Sequence, residues 1–228
     1  MHRSVAGGLP RAAVFGVNDG LVSNVSLILG FAGGGAGASI VRLAGIAGAV
    51  AGAISMAAGE WVSISAQNDL IHRELEVERR ELERHPLAET VELAGMYEAH
   101  GMGPEQARLA AAEVMRQPDE ALIVHAREEL GVDPEGLASP WQAAALSLVC
   151  FLLGALAPVV PWLGSATGTA PTMVSIAIGT VVAAIVGALI AGFAERPMIR
   201  SIARQVLIVL GACAITYGIG QLVGISVT

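Results

Sequence analysis

The chain has 228 residues, of which 54% are hydrophobic, and its mean hydropathy of +0.64 is too high for an ordinary soluble domain. The formal net charge is −7, and 17 of the 20 acidic residues lie between Asp69 and Glu135. This acidic segment argues against nucleic acid as a partner, because binding to phosphates requires a basic surface.

Five segments are long and apolar enough to cross a bilayer, which requires about 20 residues. They are residues 12–32, 42–65, 141–163, 172–193 and 202–225. The sequence therefore predicts an all-α membrane protein with five transmembrane helices in contact with membrane lipid. A helical domain inserted between spans two and three separates the membrane segments. The expected division is 1–68 for spans one and two, 69–135 for the inserted domain, and 136–228 for spans three to five.

The arginines indicate the orientation, since cytoplasmic loops of membrane proteins are enriched in Lys and Arg. Twelve of the 13 arginines lie before span one, in the acidic segment, or around the turn between spans four and five. Only Arg42 lies on the other side. We therefore expect the N-terminus and residues 69–135 to be cytoplasmic. The absence of lysine and the short N-terminal segment favour a bacterial inner (plasma) membrane, with a vacuolar membrane as the alternative.

Proline and glycine divide the acidic segment into four predicted helices. The first continues span two as one long helix and ends at His85 and Pro86, because the residue before a proline disfavours helical geometry. The next two are expected at about 87–100 and 104–116, and the fourth runs from Pro118 to Gly131.

Glutamates recur at helical spacing in this segment. Glu78 and Glu81 lie three residues apart on the first helix, and Glu89 and Glu92 lie three apart on the second. If the turn at His85 folds the second helix back, these two faces converge. Like-charged faces repel each other unless a cation lies between them. An ordinary solvated acidic surface with Glu–Arg pairs is the alternative that this spacing leaves open.

On the fourth helix, His125 and Glu129 lie at i, i+4 and supply a nitrogen and a carboxylate. Carboxylates with an imidazole suit first-row divalent ions, and iron, manganese and zinc all fit. A di-iron bundle of the ferritin type does not fit, because that site uses Glu-x-x-His and the chain lacks this motif. We expect a protein without enzymatic activity or a prosthetic group.

Two acidic residues interrupt the membrane segments, and an ionisable residue inside a span indicates a functional site. Asp19 lies eight residues beyond Arg11, and Met56 lies eleven residues before Gln67. At 1.5 Å per residue these depths are about 12 and 16 Å, so the two side chains can meet. Glu60 is one turn from Met56. A thioether among carboxylates favours a transition metal over Ca²⁺ or Mg²⁺.

Two stretches resemble the signatures of the vacuolar iron transporter family. They are residues 16–30 (GVNDGLVSNVSLILG) in span one and residues 55–63 (SMAAGEWVS) in span two. The five-span layout with an inserted domain is similar too. The resemblance implies a homodimer that exports Fe²⁺, and often Mn²⁺, from the cytosol in exchange for protons. Zn²⁺ and Co²⁺ are further candidate ions.

The resemblance also implies site residues. The family's translocation Asp and Met match Asp19 and Met56, and its cytoplasmic metal ligands match Glu78, Glu81, Glu89, Glu92 and Glu129. The family often has two methionines where this chain has His125 and Ala126. An imidazole can replace one of these ligands, whereas an alanine cannot.

We therefore expect the inserted domain to capture a metal ion and Glu60 to pass it to Asp19 and Met56. Protonation of Asp19 or Glu60 would release the ion. Two other classes of protein remain open. One is a membrane-anchored sensor or buffer that binds metal without moving it, and the other is a scaffold whose acidic domain docks a basic partner.

Overall fold

The computed structural model describes residues 9–164 and 169–225, and every regular element in these ranges is helical. The predicted N-terminal segment before residue 9, including Arg3, lies outside the described residues. The α-helices are α1 Leu9–Gly33, α2 Ala38–Arg84, α3 Pro86–Ala99, α4 Pro104–Val114, α5 Pro118–Glu128, α6 Pro140–Leu156, α7 Ala170–Ala194 and α8 Met198–Ile225. Short 3₁₀ helices cover Pro134–Gly136 and Ala157–Trp162.

Five of the described helical segments are long and apolar enough to cross a membrane. They begin at Ala12, Ala38, Pro140, Ala170 and Met198, and the third of them joins α6 to the 3₁₀ helix that follows. The predicted all-α fold with five candidate spans is thereby confirmed, and the chain is an integral membrane protein. α2 has 47 residues, or about 70 Å, so only part of it fits within about 30 Å of hydrocarbon.

Proline sets the start of each short helix in the acidic segment. Pro86, Pro104 and Pro118 occupy the first turn of α3, α4 and α5, where a missing N–H has no intrahelical partner to lose. Gly101 and Gly131 follow α3 and α5 with φ of +93° and +66°, which glycine adopts without steric strain. The predicted end of the long helix at His85 agrees with the observed end of α2 at Arg84.

The chain divides into two compact units, of which the first comprises 1–62 and 140–228 and contains α1, α6, α7, α8 and the N-terminal part of α2. α1 lies at its centre. Gly20 and Gly154 allow the α1 and α6 backbones to approach closely, because a Cβ at either position would overlap a backbone carbonyl of the other helix. On the other side of α1, an apolar cluster joins it to α7 and α8. Its buried members are Leu21, Val25, Leu29, Ala183, Val209 and Cys213.

Asn24 is a buried polar link inside this unit. Its Nδ2 donates hydrogen bonds to the carbonyl of Gly45 in α2, at 3.0 Å, and to the carbonyl of Ala155 in α6, at 2.6 Å. A single side chain of α1 therefore connects three helices near the middle of the unit.

The second unit comprises residues 63–139 and contains the C-terminal part of α2 and helices α3–α5. Its buried apolar cluster is small and rich in alanine, formed by Leu93, Ala94, Ala107 and Ala111. Such a core supplies limited stability to a unit of this size. The boundaries predicted from composition, at 69 and 135, lie a few residues inside this unit.

Candidate metal centre

Three helices of the second unit each contribute one side chain to a buried polar cluster. Glu78 comes from α2, Glu89 from the first turn of α3, and His125 from the last turn of α5. The turn at His85 reverses the chain between α2 and α3, so the two glutamates approach each other although they are eleven positions apart in the sequence. Glu78 and Glu89 are 8% and 6% exposed, and His125 is completely buried.

The ligand atoms of these residues converge on one point. His125 Nδ1 lies 3.0 Å from Glu78 Oε1 and 3.8 Å from Glu89 Oε2, and one ligand atom from each residue lies within 4.8 Å of the others. Ligands at about 2.1 Å from a first-row metal lie about 3–4 Å apart. The cluster therefore needs only small side-chain adjustments to surround a single ion.

The buried atoms of this cluster lack ordinary partners. Both nitrogens of His125 and Glu78 Oε1 have no hydrogen-bond partner among the described residues, because the 3.0 Å contact is poorly aligned. Burial lowers the pKa of His125, while Glu129 and Glu92 oppose that shift, so the imidazole is neutral rather than an ion-pair partner. A neutral imidazole with a free nitrogen is the form that binds metals.

Burial and the surrounding carboxylates together raise the pKa of Glu78 to about 7. Burial is the largest cause, followed by the charge of Glu129 and a hydrogen bond with it, and then by Glu89 and Glu92. Burial also raises the pKa of Glu89, helped by Glu92, Glu81 and Glu129. Since like charges held together favour a proton or a cation between them, this electrostatic environment favours cation binding.

The predicted ligands therefore fall into two groups. Glu78, Glu89 and His125 form the buried centre, while Glu81, Glu92 and Glu129 are more exposed and interact with it through their charge. Residues three apart on a helix differ by about 60° in direction, so only one glutamate of each pair points directly at His125. Ala126 is buried and contributes no ligand atom. Metal binding by all six polar residues stays a prediction.

A second polar feature lies within the first unit. A cavity of about 290 Å³ is lined by both Asp19 of α1 and Met56 of α2. Ser23 Oγ donates a hydrogen bond of 3.3 Å to Asp19 Oδ1, and Phe151 forms part of the apolar wall. The predicted meeting of Asp19 and Met56 agrees with this geometry.

Glu60 does not line this cavity, although it lies one helical turn from Met56 and is half-buried. Asn24, in contrast, is a lining residue that the sequence interpretation missed, and its Oδ1 is buried without a partner among the described residues. The sequence does contain a signal for Asn24, since an amide side chain inside an apolar span has to find hydrogen-bond partners within the protein. The cavity thus offers a carboxylate, an amide oxygen and a thioether.

Fold and sites together define a polytopic membrane protein that carries polar, ligand-rich sites in both of its units. The chain belongs to the VIT family, whose sequence profile matches residues 10–221. The resemblance found in the two signature stretches is thereby confirmed.

Individual relatives agree with this assignment. The chain is 36% identical to a vacuolar iron transporter of Acanthamoeba castellanii, over 97% of this chain and 82% of that protein. It is 28% identical to vacuolar iron transporter 1 of Eucalyptus grandis, with 96% and 88% covered. It is 31% identical to vacuolar iron transporter homolog 1 of Arabidopsis thaliana, with 94% and 82% covered.

Proposed function

We propose that the chain transports divalent transition-metal ions, Fe²⁺ or Mn²⁺, out of the cytosol in exchange for protons. The observation that carries this proposal is the buried cluster of Glu78, Glu89 and His125, whose ligand atoms converge while both His125 nitrogens and Glu78 Oε1 lack hydrogen-bond partners among the described residues. The names of the relatives from Acanthamoeba castellanii and Eucalyptus grandis, both vacuolar iron transporters, support iron as the transported ion.

In this proposal the two polar sites act in sequence. The cluster around His125 captures the ion, and Glu81, Glu92 and Glu129 raise the local cation concentration. The ion then reaches the cavity of Asp19 and Met56 within the spans. Glu60 relays it, as its position one turn from Met56 supports.

Proton exchange would use the membrane carboxylate. A proton that reaches Asp19 from the outer side removes the negative charge that holds the cation and so promotes its release. The proposed orientation places the second unit in the cytosol. The same orientation serves export across a bacterial inner membrane and across a vacuolar membrane, because in both cases the metal leaves the cytosol.

The decisive test is a flux assay with the full chain in proteoliposomes that contain a metal-sensitive dye. We expect uptake of Fe²⁺ and Mn²⁺ that depends on an imposed proton gradient, with Zn²⁺ and Co²⁺ as comparison ions. Asp19→Asn should reduce that flux at least about tenfold, since it removes a charge whose interaction exceeds about 1.4 kcal/mol. Full proton-driven flux by Asp19→Asn would contradict the proposed exchange mechanism.

The outcome also separates transport from the alternative function of a membrane-anchored sensor or buffer. The buried cluster alone would suffice for a buffer, whereas the Asp19–Met56 cavity within the spans favours a transporter. Metal binding without flux would identify the buffer. A homodimer is proposed as the transporting unit, and light scattering of the purified protein in detergent tests it.

A further inference from the structure

The turn between α7 and α8 forms one wall of a large open cavity. Its volume is about 1060 Å³, which is enough for a phospholipid headgroup and the first part of its acyl chains. Arg196, Arg200 and Arg204 line it together with apolar residues of both helices. The cavity lies entirely within the first unit and is separate from the two polar sites described above.

The charge of this cavity is uniformly positive. Arg200 and Arg204 are one turn apart on α8, and Arg196 lies two residues before that helix begins. None of the three guanidinium groups forms an ion pair within the described ranges 9–164 and 169–225, and the acidic Glu195 is not among the lining residues. Three adjacent arginines without a counter-ion are a binding environment for phosphate oxygens.

Ser201 provides an independent indication of a ligand. Ser201 is 6% exposed and lines the cavity, yet its hydroxyl has no hydrogen-bond partner in the described part of the chain. Buried polar groups are almost always satisfied by protein, water or ligand. The hydroxyl also lies in the first turn of a 28-residue helix, where the helix dipole favours an anion.

The polarity of the cavity changes along α8. Leu207 and Ile208 follow Arg204 by about one turn, and they are 68% and 47% exposed. Cationic groups thus give way to apolar side chains over a distance of about 10 Å along the helix. A molecule that fits this gradient has an anionic head and hydrocarbon chains.

We propose that this cavity binds the headgroup phosphate of an anionic phospholipid. Arg196, Arg200 and Arg204 hold the phosphate, Ser201 donates a hydrogen bond to it, and Leu207 and Ile208 contact the acyl chains. Basic pockets between membrane helices on the cytoplasmic side are suited to such lipids. The site tethers the turn between α7 and α8 to one leaflet, and it is independent of the proposed metal transport.

The test is native mass spectrometry of the full chain in detergent, titrated with phosphatidylglycerol or with phosphatidylcholine of the same acyl chains. We expect phosphatidylglycerol to bind at least about tenfold more tightly, as about 1 kcal/mol per basic residue implies. The double variant Arg200→Gln with Arg204→Gln should lose this preference, and Ser201→Ala should weaken it. Equal affinity for the two lipids, or an unchanged preference in the double variant, would overturn the proposal.

Controls separate this site from general charge and from misfolding. Arg108→Gln with Arg116→Gln removes the same charge from the second unit and should leave the lipid preference intact. Arg200→Lys with Arg204→Lys keeps the charge and should retain most of the preference, and a loss as complete as in the Gln variant contradicts the proposal. Inorganic phosphate in large excess should not displace the lipid, and if it does so completely, the site binds free anions instead.

Discussion

His125 combines complete burial with two ring nitrogens that have no hydrogen-bond partner in the described residues. When such an imidazole is buried, it loses its hydrogen bonds to water without forming others, and this loss costs a free energy on the order of 1–3 kcal/mol per polar group. A metal ion would supply the missing partner. The neighbouring Glu78 and Glu89 are likewise buried, and they would supply the negative charge that such an ion requires.

We expect His125→Ala to weaken Mn²⁺ binding at least about tenfold, because it removes a central ligand atom while leaving two buried carboxylates. Isothermal titration calorimetry of the purified full chain measures this. His100→Ala is the matched control, since His100 is exposed and its Nδ1 lies 3.3 Å from Glu128 Oε2, outside the buried cluster. Equal Mn²⁺ affinity of wild type and His125→Ala would remove His125 from the site.

The identity of the ligand at position 125 should also affect metal preference. A thioether is softer than an imidazole and therefore a poorer ligand for the hard ion Mn²⁺. We expect His125→Met to retain binding but to lower the affinity for Mn²⁺ more than that for Fe²⁺ or Zn²⁺. Competition between these ions in a spectroscopic titration tests the order, and an unchanged order would mean that His125 does not determine selectivity.

The raised pKa of Glu78 makes the ion-free protein sensitive to pH. Its folded-state pKa of about 7 exceeds the value of 4.5 for an unperturbed glutamate, so folding favours the protonated form. This contribution is complete below about pH 4.5 and is lost as the pH rises through 7. The lowered pKa of His125 acts in the opposite direction, but only until the pH reaches the ordinary histidine value of 6.5, so the loss of the Glu78 contribution determines the sign above that pH.

We therefore expect the melting temperature of the second unit, measured without metal, to fall between pH 6 and pH 8. Glu78→Gln should flatten this dependence, whereas Glu105→Gln, at an exposed position of α4, should not. Mn²⁺ affinity should change in the opposite direction and rise about tenfold over the same range, because binding displaces one proton from a group with a pKa near 7. A melting temperature that rises with pH would contradict the predicted direction of this pH dependence.

At the level of helices, the α1–α6 contact depends on the absence of side chains. A Cβ at Gly154 would overlap the Val17 carbonyl oxygen of α1. We expect Gly154→Ala to lower the stability of the first unit by roughly 1–3 kcal/mol, the usual range for overpacking. Thermal unfolding in detergent measures it. Gly192→Ala, in α7 where a Cβ meets open space, should be neutral or slightly stabilising.

The sequence predicted these helices well because their signals are local. Apolar length marks the five candidate spans, and Pro86, Pro104 and Pro118 mark three further starts. The site was predicted less completely, because spacing relates residues on one helix but not on different helices. Helical spacing identified Glu78 and Glu81 equally as candidate ligands, whereas only Glu78 is buried in the structure. The place of Asn24 in the membrane cavity depends on how three helices pack, which helical spacing does not predict.

At the level of the whole molecule, the two units differ in how they are stabilised. The first has extensive apolar helix packing, and the second has a small alanine-rich core beside its buried carboxylates. A metal ion that binds only the folded second unit stabilises it by about 2.7 kcal/mol at a hundredfold excess over its Kd.

Hydrogen exchange of the full chain with and without Mn²⁺ tests this difference. We expect amides of α3, α4 and α5 to exchange up to about a hundredfold more slowly with metal, because that free energy corresponds to this factor. Amides of α6, α7 and α8 provide the internal control and should change little. Unchanged exchange in α3–α5 would instead favour a scaffold whose acidic surface binds no metal.

The amide of Asn24 has a mechanical consequence. Its two hydrogen bonds connect α1 to the backbones of α2 and α6 in an apolar interior, where a broken bond finds no water to replace it. Any change in shape of the spans that separated α1 from α2 or α6 at this point would leave two backbone carbonyls and one amide group without partners. The amide therefore resists independent movement of these three helices and favours their movement as one body.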